Sequence, residues 1–129
     1  DLMMSFSMRK WKGNKLQQSI VNIILYCFPS LRKEDVVSTP EGVNGADVIL
    51  SDKAKELFPY KVEAKNHNRI KALYDYFQQA EGHQGDEEPL LVFKSDKRPP
   101  LAVVHLNHFI DLVAKQNNPE RKPNENNEN

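Results

Sequence analysis

A single cysteine, Cys27, occurs in the 129 residues, which excludes an intramolecular disulfide and a cysteine-rich zinc site. No apolar run approaches the ~20 residues that span a bilayer, and no secretory signal is recognisable, so we expect a cytoplasmic protein without a membrane partner. There is also no net charge, because 18 Lys and Arg residues balance 18 Asp and Glu residues. Bulk charge therefore does not indicate a strongly basic nucleic-acid binder, although a local basic patch is still allowed.

The chain length fits one domain, since domains most often contain ~100–150 residues. Hydrophobic residues make up 39%, which is enough for one core. We set residues 1–8 apart as an added or flexible start and predict a single domain over residues 9–115. We expect residues 116–129 to be a flexible polar tail, because they contain no apolar side chain that could offset the entropy lost on ordering.

Apolar periodicity predicts a helix over residues 16–28, a second over 69–82, and a last one that Asn107 caps. Cys27 lies on the apolar stripe of the first helix and is interpreted as a core residue. Ser51 is predicted to cap a short helix over residues 52–57. Runs of β-branched or alternating residues predict strands at 35–39, 47–50, 60–65, 90–93 and 101–106.

This order of elements predicts a mixed β-sheet with helices on both faces. The passage from residues 60–65 through the helix at 69–82 to residues 90–93 predicts a parallel, right-handed βαβ crossover. Because residues 90–93 are almost continuously apolar, we expect that strand to lie at the centre of the sheet and to be covered on both faces.

Three ionisable residues suggest a chemical site. Glu63 and Lys65 lie two apart in an alternating segment and so project to the same side. Asp47 opens the preceding main strand, and two neighbouring strands can bring its carboxylate to that of Glu63. Two carboxylates ~4 Å apart repel by about 4 kcal/mol at an effective dielectric constant of 20, so a cation between them is needed if both are ionised. Oxygen ligands favour Mg²⁺ or Mn²⁺ over Zn²⁺.

The segments Asn44-Gly-Ala-Asp47 and Val62-Glu-Ala-Lys65-Asn66, with the order of elements, resemble the PD-(D/E)xK nuclease superfamily. The closest likeness is to its small phage-type members and to archaeal Holliday-junction resolvases, and it covers about residues 14–113. The resemblance implies a restriction-endonuclease-like α/β fold, in which a mixed β-sheet is flanked by helices around an α-β-β-β-α-β core. It implies a DNA endonuclease that hydrolyses phosphodiester bonds with Mg²⁺, or with Mn²⁺ as a substitute. It further implies selectivity for branched or Holliday-junction DNA, and a homodimer.

The resemblance also implies a role for individual residues. Asp47 and Glu63 would ligate the metal together with the backbone carbonyl of Ala64. Lys65 would be the catalytic lysine. Some relatives add a catalytic glutamine on the following helix, where this chain has Gln78, Gln79 and Glu81, and we favour Gln79.

One feature of the chain departs from the pattern of the family. The resolvases place a glutamate on the first helix, where this chain has Gln17 and Gln18, and neither amide supplies negative charge. Two alternatives therefore stay open: a non-catalytic nucleic-acid-binding module on the same fold, and an unrelated interaction protein in which Glu63 and Lys65 are a solvated strand face.

Phosphate contacts give affinity without reading base sequence, so shape-selective DNA binding fits better than sequence-specific binding. His67 is interpreted as a surface histidine, and His105 and His108 as structural ones. Six basic or amide side chains are predicted to contact DNA: Lys10, Lys12, Lys15, Asn44, Asn66 and Arg69.

Overall fold

A computed structural model of the protein describes residues 16–40, 42–67 and 70–118. These residues form a mixed α/β structure, as predicted, with four helices: α1 (Leu16–Cys27), α2 (Asp52–Leu57), α3 (Lys71–Glu81) and α4 (Leu106–Asn117). A short 3₁₀ helix, Lys33–Asp35, follows α1. The four strands of this part of the chain are β1 (Val36–Ser38), β2 (Val48–Leu50), β3 (Leu91–Phe93) and β4 (Leu101–Val103).

The four strands pair as two separate antiparallel sheets of two strands each. In the first sheet Val36 lies opposite Leu50 and Ser38 opposite Val48, and in the second Val92 lies opposite Ala102. The single mixed sheet with a parallel βαβ crossover is therefore wrong for the described residues. Strands of three residues make few ladder bonds, so side-chain packing decides where each one lies.

The predicted strand at residues 60–65 is also not formed. One backbone hydrogen bond links this segment to the residue before β2: the Asp47 N–H donates to the Val62 carbonyl at 2.9 Å. The alternation of polar and apolar residues nevertheless separates a buried from an exposed side, as predicted. Val62 and Ala64 pack against the core, whereas Lys61, Glu63 and Lys65 are exposed. Alternation thus identified the buried face correctly, although it overestimated the pairing of the backbone.

The core lies where α1, the β1–β2 sheet, α2 and α4 meet. Helix α1 buries the predicted stripe, and Ile24 and Phe28 have no exposed surface. Cys27 is buried, as expected for a core residue. Helix α4 adds Ile110, which is fully buried. Burying a large apolar side chain contributes about 1.5–3 kcal/mol, so this cluster, rather than the two short sheets, carries most of the stability.

Ser51 caps α2, as predicted. Its hydroxyl accepts a hydrogen bond from the Ala54 N–H at 3.1 Å and donates one to the Asp35 carboxylate at 2.7 Å. The other Asp35 oxygen accepts from the Arg32 N–H at 2.8 Å. The bond from the Arg32 backbone, followed by that from Ser51, lowers the pKa of Asp35 below its ordinary value of 3.8. This network joins the start of β1 to the end of β2.

The β3–β4 sheet lies largely outside the core. Val92 and Leu101 are 60% and 57% exposed. The expectation that residues 90–93 form a central strand covered on both faces is therefore wrong. An isolated two-stranded sheet is only marginally stable, and β3 also contacts α3.

The C-terminal end of the fold extends further than predicted. Helix α4 begins at Leu106 with His105 at its N-cap, so Asn107 is not the cap. Asn118 is fully buried, and its side-chain amide donates to the Cys27 carbonyl at 3.2 Å. Residues 116–118 thus belong to the folded domain rather than to a tail. The expected start at 1–8 and the remainder of the expected tail lie outside the described residues.

Candidate functional site

Asp47 connects the first sheet to the segment at residues 60–65. Its carbonyl accepts a hydrogen bond from the Thr39 N–H at 3.0 Å, and its N–H donates to the Val62 carbonyl. Its carboxylate oxygen Oδ2 accepts a hydrogen bond from the Ala64 N–H at 2.5 Å. Asp47 is thereby fixed against the residue that lies between Glu63 and Lys65.

Aromatic packing holds the segment in position. The ring of Tyr60 lies 4.8 Å from that of Phe58 and 5.0 Å from that of Phe109 on α4. Val62 and Ala64 follow on the side of the core. The segment is therefore anchored by packing at Tyr60 and by hydrogen bonds to Asp47, which turns Glu63 and Lys65 to solvent.

Glu63 and Lys65 form an ion pair, with Nζ of Lys65 3.0 Å from Oε2 of Glu63. Both side chains are exposed, at 62% and 65%. The hydrogen bond that Lys65 donates to Glu63, together with the charge of Glu63, raises the pKa of Lys65 above its ordinary value of 10.5, and the charge of Asp47 adds to this effect. Lys65 therefore lies within electrostatic reach of both acids and stays protonated at neutral pH. The structure thus places Lys65 against Glu63 and within electrostatic range of Asp47.

The donors at this site suit a hard divalent cation. Asp47 and Glu63 supply carboxylate oxygens, and the carbonyl of Ala64 accepts no backbone hydrogen bond from the described residues. Residues 16–40, 42–67 and 70–118 contain no group of three or more His, Cys, Asp or Glu side chains suited to a metal. Two carboxylates with a carbonyl fit an ion such as Mg²⁺, which keeps several water ligands.

Gln18 lies at the same end of the first sheet as Asp47. Its amide nitrogen donates to the side-chain oxygen of Asn22 at 3.0 Å, and its oxygen accepts a long, 3.5 Å hydrogen bond from the Ser38 hydroxyl. Ser38 lies opposite Val48, the residue after Asp47. Gln17 is half-buried on the same helix. Sequence analysis did not indicate Ser38, because only strand pairing brings it close to Asp47.

The other predicted residues are more scattered. Asn44 is exposed in the loop before β2, which turns at Gly45 with a φ of 120°, a conformation that favours glycine. Gln79 is exposed on α3. It lies about 200° around the helix from the buried Phe77, and its catalytic role stays a prediction. The predicted DNA-contacting residues Lys10, Lys12, Lys15 and Arg69 lie outside the described residues.

A cleft of about 420 Å³ adjoins Lys65. The chain after Glu63 contributes Lys65, Asn66 and His67 to it, and α3 contributes Tyr74. His105, at the start of α4, also lines this cleft.

Two contacts fix the imidazole of His105. Its Nε2 lies 3.1 Å from Oε2 of Glu81, and its ring meets that of Phe77 edge-to-face with centroids 4.9 Å apart. Sequence analysis did not indicate Tyr74 as a neighbour of this site, named Glu81 only beside Gln79, and gave His105 only a structural role. No sequence signal could have found them, because the packing of α3 beside the start of α4 creates the cleft.

Comparison of the chain with protein-family models, curated proteins and solved structures finds no match. In the part of the chain that the structure describes, no helix combines the length and the apolar character that crossing a membrane requires.

Proposed function

We propose that the protein is a divalent-metal-dependent DNA endonuclease that hydrolyses phosphodiester bonds, with branched or junction DNA as its preferred substrate. The observation that carries the proposal is the meeting of Asp47, Glu63 and Lys65 through the hydrogen bond to Ala64 and the ion pair at 3.0 Å. We also propose that the first sheet with the segment at residues 60–65 corresponds to part of a restriction-endonuclease-like core.

Each residue has a distinct role in this proposal. Asp47 and Glu63, with the Ala64 carbonyl, would hold Mg²⁺, or Mn²⁺ in its place. Such an ion acidifies a bound water and neutralises charge on phosphoryl oxygens. The ammonium of Lys65, which Glu63 orients, would stabilise the negative charge that develops on the phosphate. Because Lys65 pairs with Glu63, which raises its pKa, the ammonium would act as a cation rather than as a base.

A cleavage assay tests the proposal. Linear, flapped and four-way DNA would be incubated with wild type in Mg²⁺, in Mn²⁺ and in chelator, and the assay repeated with Lys65→Ala. We expect metal-dependent products that are most abundant on the branched substrates and are lost in Lys65→Ala. Lys61→Ala is the matched control, because Lys61 is an exposed lysine of the same segment. Equal cleavage by Lys65→Ala and Lys61→Ala would contradict the proposal.

The second candidate function is a non-catalytic nucleic-acid-binding module. Gln18, at the end of the first sheet where a resolvase would have an acid, favours it, because an amide adds no charge for a second metal. This candidate predicts salt-dependent DNA binding without products in either metal. Detection of metal-dependent nicking would eliminate it.

We further propose that the protein forms a homodimer through the β3–β4 sheet. Apolar residues are exposed there, Val92 and Leu101 among them. Acidic residues precede β3 at 86–88, and three basic residues, Lys94, Lys97 and Arg98, follow it in a turn that also contains Asp96, all of them exposed. Two copies of β3 that pair antiparallel about a twofold axis would set each acidic segment against the partner's basic turn. This charge complementarity favours a second copy of the chain as the partner that covers the exposed β3–β4 sheet.

A further inference from the structure

We infer that the cleft beside Lys65 binds one unpaired nucleotide of the DNA strand, next to the phosphate that is cleaved. The inference rests on the proposed function and deepens it, because it names the feature of branched DNA that the protein recognises. Four observations carry it: the lining of the cleft, the exposure of Tyr74, the fixation of His105, and the position of Lys65.

The lining of the cleft suits an anion that carries a planar apolar group. Lys65, Asn66, His67 and His105 offer hydrogen-bond donors, and no Asp or Glu among the described residues lines the cleft. Tyr74 adds an aromatic surface. The volume of about 420 Å³ lies within the ~300–1,000 Å³ of small-molecule sites. A nucleotide unites a phosphate with a planar base and so matches both parts of this lining.

Tyr74 is 65% exposed, although it lines a cleft. No aromatic ring among the described residues stacks on it. Exposed aromatic side chains of this kind serve as stacking platforms for bases in proteins that bind single strands. In a paired duplex both faces of a base are covered by its neighbours, so only an unpaired or extruded base can stack on Tyr74.

His105 is held in one orientation before any ligand arrives. Its Nε2 lies 3.1 Å from Oε2 of Glu81, and the edge-to-face contact with Phe77 orients the plane of the ring. The remaining nitrogen, Nδ1, is then available for a hydrogen bond to a base or a phosphate without a further loss of side-chain freedom. Such preorganisation reduces the entropic cost of binding.

Lys65 connects the cleft to the acidic site, since it lines the cleft and pairs with Glu63. A nucleotide in the cleft would therefore place its phosphate beside Lys65, the residue that pairs with Glu63. Continuous duplex DNA supplies no free base for Tyr74, whereas a flap or a bulge does, and a junction does where a base at the branch point is extruded. The cleft thus gives structure selectivity a physical basis in residues of this chain.

Fluorescence anisotropy in chelator, where no hydrolysis occurs, tests the inference. The probes are a fluorescein-labelled duplex and the same duplex with one unpaired thymidine. We expect wild type to prefer the bulged probe and Tyr74→Ala to lose about 5- to 150-fold in affinity for that probe alone. Tyr74→Phe keeps the ring and should retain the preference. Tyr76→Ala is the matched control, because Tyr76 is on the same helix, is 55% exposed and does not line the cleft.

The outcomes separate the inference from the proposed function. If Tyr74→Ala keeps the preference for the bulge, or if Tyr76→Ala loses as much, the inference is overturned even where Lys65-dependent cleavage is seen. If the preference for the bulged probe depends on Tyr74 but no cleavage depends on Lys65, the inferred nucleotide site is supported and the proposed endonuclease activity is refuted. A titration with free dTMP tests whether the cleft binds a nucleotide only as part of a DNA strand or also as a free molecule. Tight, Tyr74-dependent binding of dTMP would overturn the assignment to a strand.

Discussion

Replacement of Asp47 by alanine and by asparagine separates its structural role from its proposed role as a metal ligand. The carboxylate accepts a hydrogen bond from the Ala64 N–H, in a partly buried position. Hydrogen bonds to charged groups stabilise proteins by roughly 1.5–3 kcal/mol, and neutral ones by about 0.5–1.5 kcal/mol. Asp47→Ala removes the acceptor, so we expect a loss near 1.5 kcal/mol in the free energy of unfolding, at the low end because the bond is only partly buried. Asp47→Asn keeps a neutral acceptor, and its loss should be about 1 kcal/mol smaller.

Urea denaturation followed by circular dichroism measures the stability of wild type and of both variants. Calorimetric titration with Mn²⁺ measures the proposed role of Asp47 as a metal ligand. Both variants should lose Mn²⁺ binding, because neither has a carboxylate at residue 47. Stability and metal binding would then respond differently to the same pair of substitutions. If both variants unfold at the wild-type urea concentration, the hydrogen bond to Ala64 is not formed. If Asp47→Asn still binds Mn²⁺ like wild type, Asp47 is not a ligand.

Three further predictions concern stability and assembly. Ile24→Ala should lower the free energy of unfolding by about 2–5 kcal/mol, because Ile24 is fully buried. Leu112→Ala, on the exposed side of α4, should change the free energy of unfolding by less than about 0.5 kcal/mol. Equal losses in the two variants would contradict the core described above. The lowered pKa of Asp35 stabilises the fold above pH 3.8, and this stabilisation is lost as the pH falls through the lower pKa of the folded state. The difference in urea stability between wild type and Asp35→Asn should therefore shrink only as the pH falls through and below 3.8, and a constant difference over that range would refute this cause. Val92→Glu should shift the protein from dimer to monomer in sedimentation equilibrium, and a wild-type monomer would disprove the interface.

Local patterns made the helices predictable from the sequence. The stripe of α1 repeats over several turns, so Ile20, Ile24 and Cys27 could be assigned to the core. The caps were less certain, because Ser51 does cap α2 whereas His105 rather than Asn107 precedes α4. A cap depends on backbone angles at one residue, which apolar periodicity does not determine.

The sheets were harder to predict, because their pairing is not local. Leu91, Val92 and Phe93 read as a buried strand, but no element covers both of their faces. A continuous apolar run shows that a segment can be buried in a sheet; it does not show whether the chain supplies a partner.

The candidate site was partly accessible to the same reasoning. The two-residue spacing of Glu63 and Lys65 placed them on one side, since alternation holds even where no ladder forms. The contact between Asp47 and Ala64 depends on the return of the chain through α2, and the cleft at Tyr74 depends on the packing of α3. Neither leaves a signal in the local sequence.

The rate at which Glu63→Gln cleaves a four-way DNA junction in Mg²⁺, with enzyme in excess, tests the central claim most directly. Glutamine keeps the size of the side chain and removes the charge that would hold the metal and that pairs with Lys65. We expect a rate at least about 100-fold below wild type, as for other losses of preorganised electrostatic stabilisation, with an unchanged circular dichroism spectrum. Lys61→Ala should cleave at the wild-type rate. Cleavage by Glu63→Gln within about threefold of wild type would contradict the assignment of this site.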